Sequence, residues 1–458
     1  MIVNIDKDLC TGCQECVKVC PAYAITGEPG KPQEINPDRC VVCGQCVQVC
    51  KSYASIIDYG PEFVQNKKEE RKIPKVINEP LFAANNVCDV DKVKAALKDP
   101  TKITMVQCAP AVRVALGEEF GMDLGSLTPG KMAAALKALN FDKVYDTNFA
   151  ADLTIMEEGN ELIKRVTTGG TLPMFTSCCP AWVKFMENNY PELTDHLSSC
   201  KSPQQMGGAV FKTYGAKINN IDAKDIYSVS IMPCTCKKYE CDRPEMNSSG
   251  YRDVDAVLTT RELAYLIKDA GIDFNTLEEI DFESPLGVYT GAGTIFGVTG
   301  GVMEAALRTA YEVITGEEIP SIDIPAVRGS EGFRTAEIKI GDLTLKVGIV
   351  TGLKNVVPVL EDLKAGKLDL HFIEVMTCPV GCVSGGGQPK LLLEEYRQTA
   401  YKNRTKATYM HDSNLPLRKS HTNPEITKIY SEFLKEPLGE ISHHLLHTKY
   451  CIGKEVTK

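Results

Sequence analysis

The 458-residue chain lacks most features that would fix its class at once. No apolar run approaches the roughly 18 residues a membrane span needs, so no membrane association is expected. The opening MIVNIDKDLC has no basic stretch followed by an apolar one, so no secretory leader is expected. Positive charge is not in excess: 51 Lys and Arg against 60 Asp and Glu leave a net charge of −9. That balance argues against a nucleic-acid surface, where a basic stripe would be required. No GxxxxGK[ST] loop occurs. The glycine-rich stretch TGAGTIFGVTGG at 290–301 has neither the GxGxxG spacing nor an acidic residue placed to hold a ribose, so close packing is its expected use rather than nucleotide binding. There is no low-complexity tract. What remains is a globular composition, 43% hydrophobic and 24% charged, long enough for two or three domains.

Against these absences stand nineteen cysteines. A disulfide framework belongs to small secreted domains, and an odd count does not complete one. Clustered thiols in a reducing compartment read instead as metal ligands. Cys10, Cys13, Cys16 and Cys20 recur thirty residues later as Cys40, Cys43, Cys46 and Cys50. Each set reads CxxCxxCxxxC, the spacing of a two-cluster bacterial ferredoxin, in which the fourth cysteine of each run ligates the other cluster. Cys10, Cys13, Cys16 and Cys50 are therefore expected to hold one 4Fe–4S cluster, and Cys40, Cys43, Cys46 and Cys20 the second. Pro21 follows Cys20 as expected, but Lys51 stands after Cys50. A cation there raises the potential of one cluster relative to the other. Oxygen-sensitive clusters place the protein in the cytoplasm of an anaerobe.

The organisation expected is a ferredoxin-like α+β unit over 1–60, a charged linker over 61–100, a main α/β domain over 101–391, and a polar segment over 392–458 that wraps it. A short helix near 91–97 bridges into the main domain. Strands are predicted at 103–107, 228–232, 346–350 and 370–375, and helices at 130–139, 152–166, 260–270, 302–315 and 424–435. Interleaved strands and helices imply α/β layers with largely parallel strands, and binding loops belong at the strand ends.

Three further cysteine segments follow strand-like runs: TSCCPAW at 176–182, MPCTCKK at 232–238, and EVMTCPVGCVSGGGQP at 374–389. The last is a half-site. Cys378 and Cys382 lie four apart, without the paired CxxC knuckles of a zinc ribbon or the CxxCxxC of a ferredoxin. It needs thiolates from elsewhere, and its glycines are expected to make room for something bulky.

Together these three segments resemble the signatures of iron-only (FeFe) hydrogenases. The resemblance runs from about residue 101 to the C-terminus and includes FAADLTIMEE at 149–158, KSPQQ at 201–205 and RDVDAVLTTREL at 252–263. It implies a large-subunit-like catalytic domain in which Cys179, Cys234, Cys378 and Cys382 hold the 4Fe–4S part of an H-cluster. By the same resemblance Cys382 also bridges to a diiron unit bearing carbonyl, cyanide and a dithiolate amine. Four thiolates suit iron–sulfur chemistry independently. Lys237 matches the lysine that hydrogen-bonds a cyanide ligand, Met232 and Met376 match methionines beside the diiron unit, and Pro203 and Gln204 match a pocket-lining segment. Cys178 matches the proton-transfer cysteine, a thiol being closer to neutrality than a hydroxyl. Glu158 and Glu161 lie three apart on one face of the predicted helix. They match the relay carboxylates, with Ser198 as the hydroxyl between them.

The chain also departs from that pattern. Ala111 stands where a serine donor is usual, Ala181 replaces a glycine, Thr377 replaces an alanine, and Cys108 and Cys236 add thiols near the pocket. Cys88, Cys200, Cys241 and Cys451 carry no motif role. The resemblance implies a monomer that reduces protons to dihydrogen reversibly, takes electrons from a soluble ferredoxin, and depends on maturation proteins for its diiron unit. A non-catalytic iron–sulfur assembly relative and a dihydrogen sensor are the alternatives.

Overall fold

The computed structural model describes residues 1–58 and 75–450. In the N-terminal unit the helices Glu15–Val19 and Gln45–Val49 each start two residues after a second cysteine and stop just before a fourth. Gln14 and Gly44 precede them in the left-handed region, at φ 61° and 72°, which turns the chain back so that three cysteines of a run face one centre. The charged stretch expected as linker falls mainly in 61–74, outside the described residues. The rest of 61–100 is more structured than a linker. Lys75–Phe82 pairs antiparallel with Tyr53–Asp58, and Ala84–Asn86 pairs with Val3–Ile5. The ferredoxin-like unit thus recruits strands from beyond residue 60. The bridging helix runs Val90–Lys98.

The main domain is built on two four-stranded sheets. In the first, Ala256–Thr259, Ile226–Met232, Ile103–Cys108 and Lys143–Asp146 lie side by side, all parallel. In the second the order is Phe333–Ile340, Leu343–Thr351, Phe372–Met376 and Met174–Phe175, with only the outer hairpin antiparallel. Parallel strands covered on both faces form near-continuous buried runs, as Ile226–Met232 and Phe372–Met376 do, with Ser228, Ser230 and Glu374 as their buried polar members. Four of these eight strands escape the hydrophobic pattern: Lys143–Asp146 and Ala256–Thr259 are only four residues long. Phe333–Ile340 is an edge strand alternating exposed and half-buried residues, and Met174–Phe175 is two residues long.

Thr147–Thr168 is the longest helix, 22 residues against the 15 predicted. Asp146 caps it by accepting the Asn148 N–H at 2.9 Å, and Arg113 holds Asp146 at 2.7 Å in full burial. The C-terminal segment does pack on the main domain, but through a 21-residue helix, Glu394–Asn414, that hydrophobic periodicity does not reveal. Its inward face is polar. Arg404 meets Glu118 and the Val383 carbonyl, and Asp412 meets Arg308 and Arg418. No helix among the described residues is long and apolar enough to cross a membrane.

Candidate active site

Two strands from each sheet end at one cavity. Ile103–Cys108 delivers Ala109, Pro110 and Ala111, and Ile226–Met232 delivers Met232, Pro233 and Cys234. Met174–Phe175 leads to Cys178 and Cys179, while Phe372–Met376 leads to Met376, Thr377, Cys378 and Cys382. Carboxyl ends of parallel strands are where α/β sheets leave room for ligands. The space measures about 780 Å³ including its mouth, within the range that buries a cofactor of moderate size. Pro203, Gln204 and Lys237 complete the wall. Every pocket residue expected from the sequence, Ala111, Met232, Met376, Pro203, Gln204 and Lys237 among them, lines this one cavity.

Cys179, Cys234, Cys378 and Cys382 are free thiols here. Burial is the main cause that pushes Cys234 up to about 11 and Cys382 to about 12, and the neighbouring thiols push in the same direction. Such a group becomes a set of thiolates only around a compensating cation. The donor set is soft, enclosed and unpaired, and it fits an iron–sulfur cube.

Lys237 is the fixed positive charge of the wall. Burial opposes its ammonium, but Glu240 outweighs that and holds its pKa above the ordinary lysine value. Lys237 Nζ donates to Glu240 at 2.9 Å and to the Cys178 carbonyl at 3.1 Å. Glu240 also accepts from Ser202 at 2.8 Å and Gln204 at 3.0 Å, and Gln204 accepts from Ser230 at 2.7 Å. Glu240 was not singled out by the sequence, although its i, i+3 spacing from Lys237 was a readable signal.

From Cys178 a line of polar groups leads outward. Burial, more than anything else, drives the Cys178 thiol well above its usual range. Glu158 lies beyond it, fully buried, and neither carboxylate oxygen has a hydrogen-bond partner within normal distance among the described residues. Ser198 and the Ser177 N–H point towards it. Burial first, and the Glu161 charge second, raise Glu158 to about 8. Ser198 Oγ donates to Glu161 Oε2 at 2.9 Å, and Arg165 donates to Glu161 Oε1 at 2.7 Å. Glu161 and Arg165 open on a cleft also lined by Lys164, Ser199 and His443. The Thr147–Thr168 helix runs the length of the line and carries Glu158, Glu161 and Arg165, since its Thr147 and Ala151 touch the cavity and its Arg165 touches the cleft. Ala151 to Arg165 spans about 21 Å at 1.5 Å per residue. Arg165 was missed by the sequence reading; it lies four residues from Glu161.

The departures resolve into three kinds. Ala111 brings no hydroxyl, and Gly297 packs so closely behind it that a Cβ there would meet the Ala111 Cβ at 3.3 Å. Thr377 adds a hydroxyl: its Oγ1 accepts from the Cys179 thiol at 3.3 Å and can donate to the sulfur once that is a thiolate. Cys108 and Cys236 adjoin the lining residues Ala109 and Lys237 without lining the cavity themselves, each buried in apolar core. Ala181 is core as well. Cys200, expected to be an idle thiol, sits 3.8 Å from Glu161 and 3.9 Å from His447. Cys451 lies outside the described residues.

Gly385 of the triple glycine lines the cavity, and the run has a second use besides the one expected. A Cβ on Gly385 would meet the Pro233 carbonyl at 2.1 Å, and one on Gly386 would meet the Cys43 carbonyl at 2.3 Å. The run makes room for backbone, including that of the N-terminal unit. Around it Gln48 donates to the carbonyls of Gly385, Gly386 and Gln388, and Thr235 donates to the Val42 carbonyl at 2.7 Å. The loop bearing Cys43 is thereby seated directly on the loop bearing Cys382.

Comparison with known proteins agrees with this geometry. Residues 102–386 match the iron only hydrogenase large subunit, C-terminal domain, residues 398–451 the iron hydrogenase small subunit, and residues 2–51 a 4Fe-4S dicluster domain. The NADP-reducing hydrogenase subunit HndD of Solidesulfovibrio fructosivorans is 52% identical over 78% of this chain and 62% of its own length. Iron hydrogenase 1 of Clostridium pasteurianum is 45% identical over 81% of this chain and 65% of its own length. The chain thus spans just under two thirds of those two relatives. The periplasmic [Fe] hydrogenase large subunit of Nitratidesulfovibrio vulgaris is 49% identical over 84% of this chain and 86% of its own. Protein NAR1 of Arabidopsis thaliana is more distant, at 31% over 78% of this chain. The solved structure of the apo [FeFe]-hydrogenase HydA1 of Chlamydomonas reinhardtii superposes with a TM-score of 0.71 at 41% identity, covering 80% of this chain and all of that one. The chain belongs to the iron-only hydrogenase family, with an H-cluster domain, a small-subunit-like C-terminal segment and an N-terminal 4Fe–4S dicluster domain.

Proposed function

We propose that the protein is a hydrogenase interconverting protons, electrons and dihydrogen. The observation that carries this reading is the meeting, in one cavity, of four free thiols and an acidic line that leads to the surface. Cys179, Cys234, Cys378 and Cys382, the four free thiols of the cavity, would hold the H-cluster. When bound, that cofactor supplies the redox chemistry of the H–H bond. The protein's own residues orient it, wall it from water and move protons. Met232, Met376 and Pro203 form the apolar wall, and Lys237, locked by Glu240, offers ammonium donors to its anionic ligands.

Protons pass from the cleft by Glu161, Ser198 and Glu158 to Cys178 Sγ. With a pKa of about 8, Glu158 is mainly a carboxylic acid at neutral pH and has a proton to give. Arg165 holds Glu161 at the cleft, and the Ser198 hydroxyl can accept from one carboxyl while donating to the other. Cys10, Cys13, Cys16 and Cys50, with Cys13 exposed, would hold one cluster, and Cys40, Cys43, Cys46 and Cys20, whose Cys43 loop is seated on the catalytic loops, would hold the second; both would supply one-electron transfer. The donor is a soluble one-electron carrier of the ferredoxin kind, and the protein works as a cytoplasmic monomer matured by dedicated assembly proteins.

Dihydrogen evolution and uptake by the matured protein, recorded with its infrared spectrum, test the reading. Carbonyl and cyanide bands with turnover in both directions are expected. A cube without those bands and without turnover would sink the enzyme reading and leave an assembly relative of the NAR1 kind.

A further inference from the structure

The ligand sets of two clusters meet at one side chain. Gln45 opens the Gln45–Val49 helix between Gly44 and Cys46, and its residue is only 6% exposed. Its side-chain Nε2 donates to the Ser384 carbonyl at 3.0 Å and lies 3.4 Å from Cys378 Sγ. Both neighbours are acceptors, which fixes the amide with its nitrogen towards them. The backbone N–H of the same residue is directed at Cys43 Sγ. One residue therefore presents one donor to a thiol of the N-terminal unit and another to a thiol of the catalytic cavity.

Docking alone does not call for this. Gln48, one turn further on, already ties the N-terminal helix to the glycine loop through three carbonyls and touches no thiol. A hydrogen bond to a ligating sulfur has a distinct consequence. It stabilises the added negative charge of the reduced cluster and so raises its potential. Cys43 and Cys378 belong, on the reading above, to the cluster that hands the electron over and to the cube that receives it.

We propose that Gln45 is a positioning residue for electron transfer: its amide bond to Cys378 raises the potential of the receiving cube, and its backbone fixes that cube against Cys43. This rests on the ligand assignment under Proposed function. The arriving electron is thereby stabilised on the catalytic side of the domain boundary by a donor from the other side. Loss of docking would release that bond, so electron transfer is favoured only when the two units are seated.

The test uses the full chain reconstituted anaerobically with iron and sulfide, without a diiron unit, and followed by paramagnetic resonance during a redox titration. The signal of the receiving cube is identified by its loss in Cys234→Ser. In Gln45→Met, which keeps the shape and removes the donors, the reduced-to-oxidised ratio of that cube at fixed potential should fall by about tenfold, equivalent to about 59 mV for one electron. Gln48→Met should leave the ratio within about twofold of the parent, because it loosens docking without touching a sulfur. A cube unmoved in Gln45→Met overturns the proposal while leaving the ligand assignment intact. Equal shifts in both variants overturn it in favour of docking alone. Absence of any third cube in the parent overturns the ligand assignment and this proposal together.

Discussion

Glu158→Gln separates stability from turnover in opposite directions. The side chain is fully buried, and Glu161, Cys178, Cys200 and Glu374, all acidic, face it from the surrounding elements. Burial is the larger cause of its rise from 4.5 to about 8. A carboxyl whose folded pKa is raised binds a proton more tightly in the folded state, so its stabilising effect is complete below about pH 4.5 and is lost as pH rises to about 8. At about 1.36 kcal/mol per unit, the parent carries a penalty of roughly 2 kcal/mol at pH 6 and roughly 5 kcal/mol at pH 9. Glutamine cannot ionise and escapes both. Glu158→Gln should therefore be the more stable protein, its margin in denaturant widening by roughly 3 kcal/mol between pH 6 and pH 9. Its turnover should fall by roughly 10² to 10⁴, the usual worth of a positioned proton carrier. In the parent, dihydrogen evolution should decline as pH passes about 8, where Glu158 no longer holds a proton, and uptake should rise there because the carboxylate can accept one. A variant retaining more than about a tenth of parental turnover, or a parental profile with no inflection near pH 8, would refute the relay through this residue.

Glu240→Gln leaves the buried Lys237 ammonium without its counter-charge, and a loss of about 3–5 kcal/mol is expected from denaturant melts. Thr377→Ala removes the hydroxyl 3.3 Å from Cys179 and should lower the potential of the catalytic cube, measured by redox titration, with iron content unchanged. Gly386→Ala places a methyl 2.3 Å from the Cys43 carbonyl. It should unseat the N-terminal unit and slow ferredoxin-linked turnover at least tenfold, while iron in the N-terminal clusters stays constant; parental turnover would show that the glycine loop does not carry the electrons.

Local chemistry was legible in the sequence, and contacts between distant segments were not. Eight cysteines at ferredoxin spacing announce themselves because neighbouring residues must wrap one centre, so the geometry is written into short spacing. The cavity wall was legible for a related reason: each strand end brings its own short motif. What the sequence could not display was the surface each motif meets. The glycines of 385–387 signalled close approach but not the protein backbone they meet, that of Pro233 and Cys43. Gln45 and Gln48 sit on a short helix whose five residues are all buried, whereas polar residues at helical spacing read as a solvated face. The Glu394–Asn414 helix has the same explanation, since arginines and an aspartate make its inward contacts and leave no apolar stripe to detect.

That C-terminal segment also accounts for how two adjacent buried glutamates come to differ. Glu157 and Glu158 are consecutive on the Thr147–Thr168 helix and therefore point about 100° apart. Glu157 faces the C-terminal segment and receives three donors from it: the Tyr430 hydroxyl, the Leu438 N–H at 2.8 Å and His447 at 2.9 Å. Glu158 faces the catalytic side and has no partner at normal distance among the described residues. A carboxylate bound by three donors is held in place. One left unpartnered in low dielectric keeps its proton near neutral pH and can release it to a neighbour. The segment matching the small subunit thus acts as a wall: by occupying Glu157 it fixes the helix, and the fixed helix presents Glu158 to Cys178. Loosening that wall through Tyr430→Phe should weaken activity without touching the relay itself, and the loss should be recovered by no change of pH between 6 and 9. Full parental turnover in that variant would mean that the contacts to Glu157 do not position Glu158, and the role of the wall would fail.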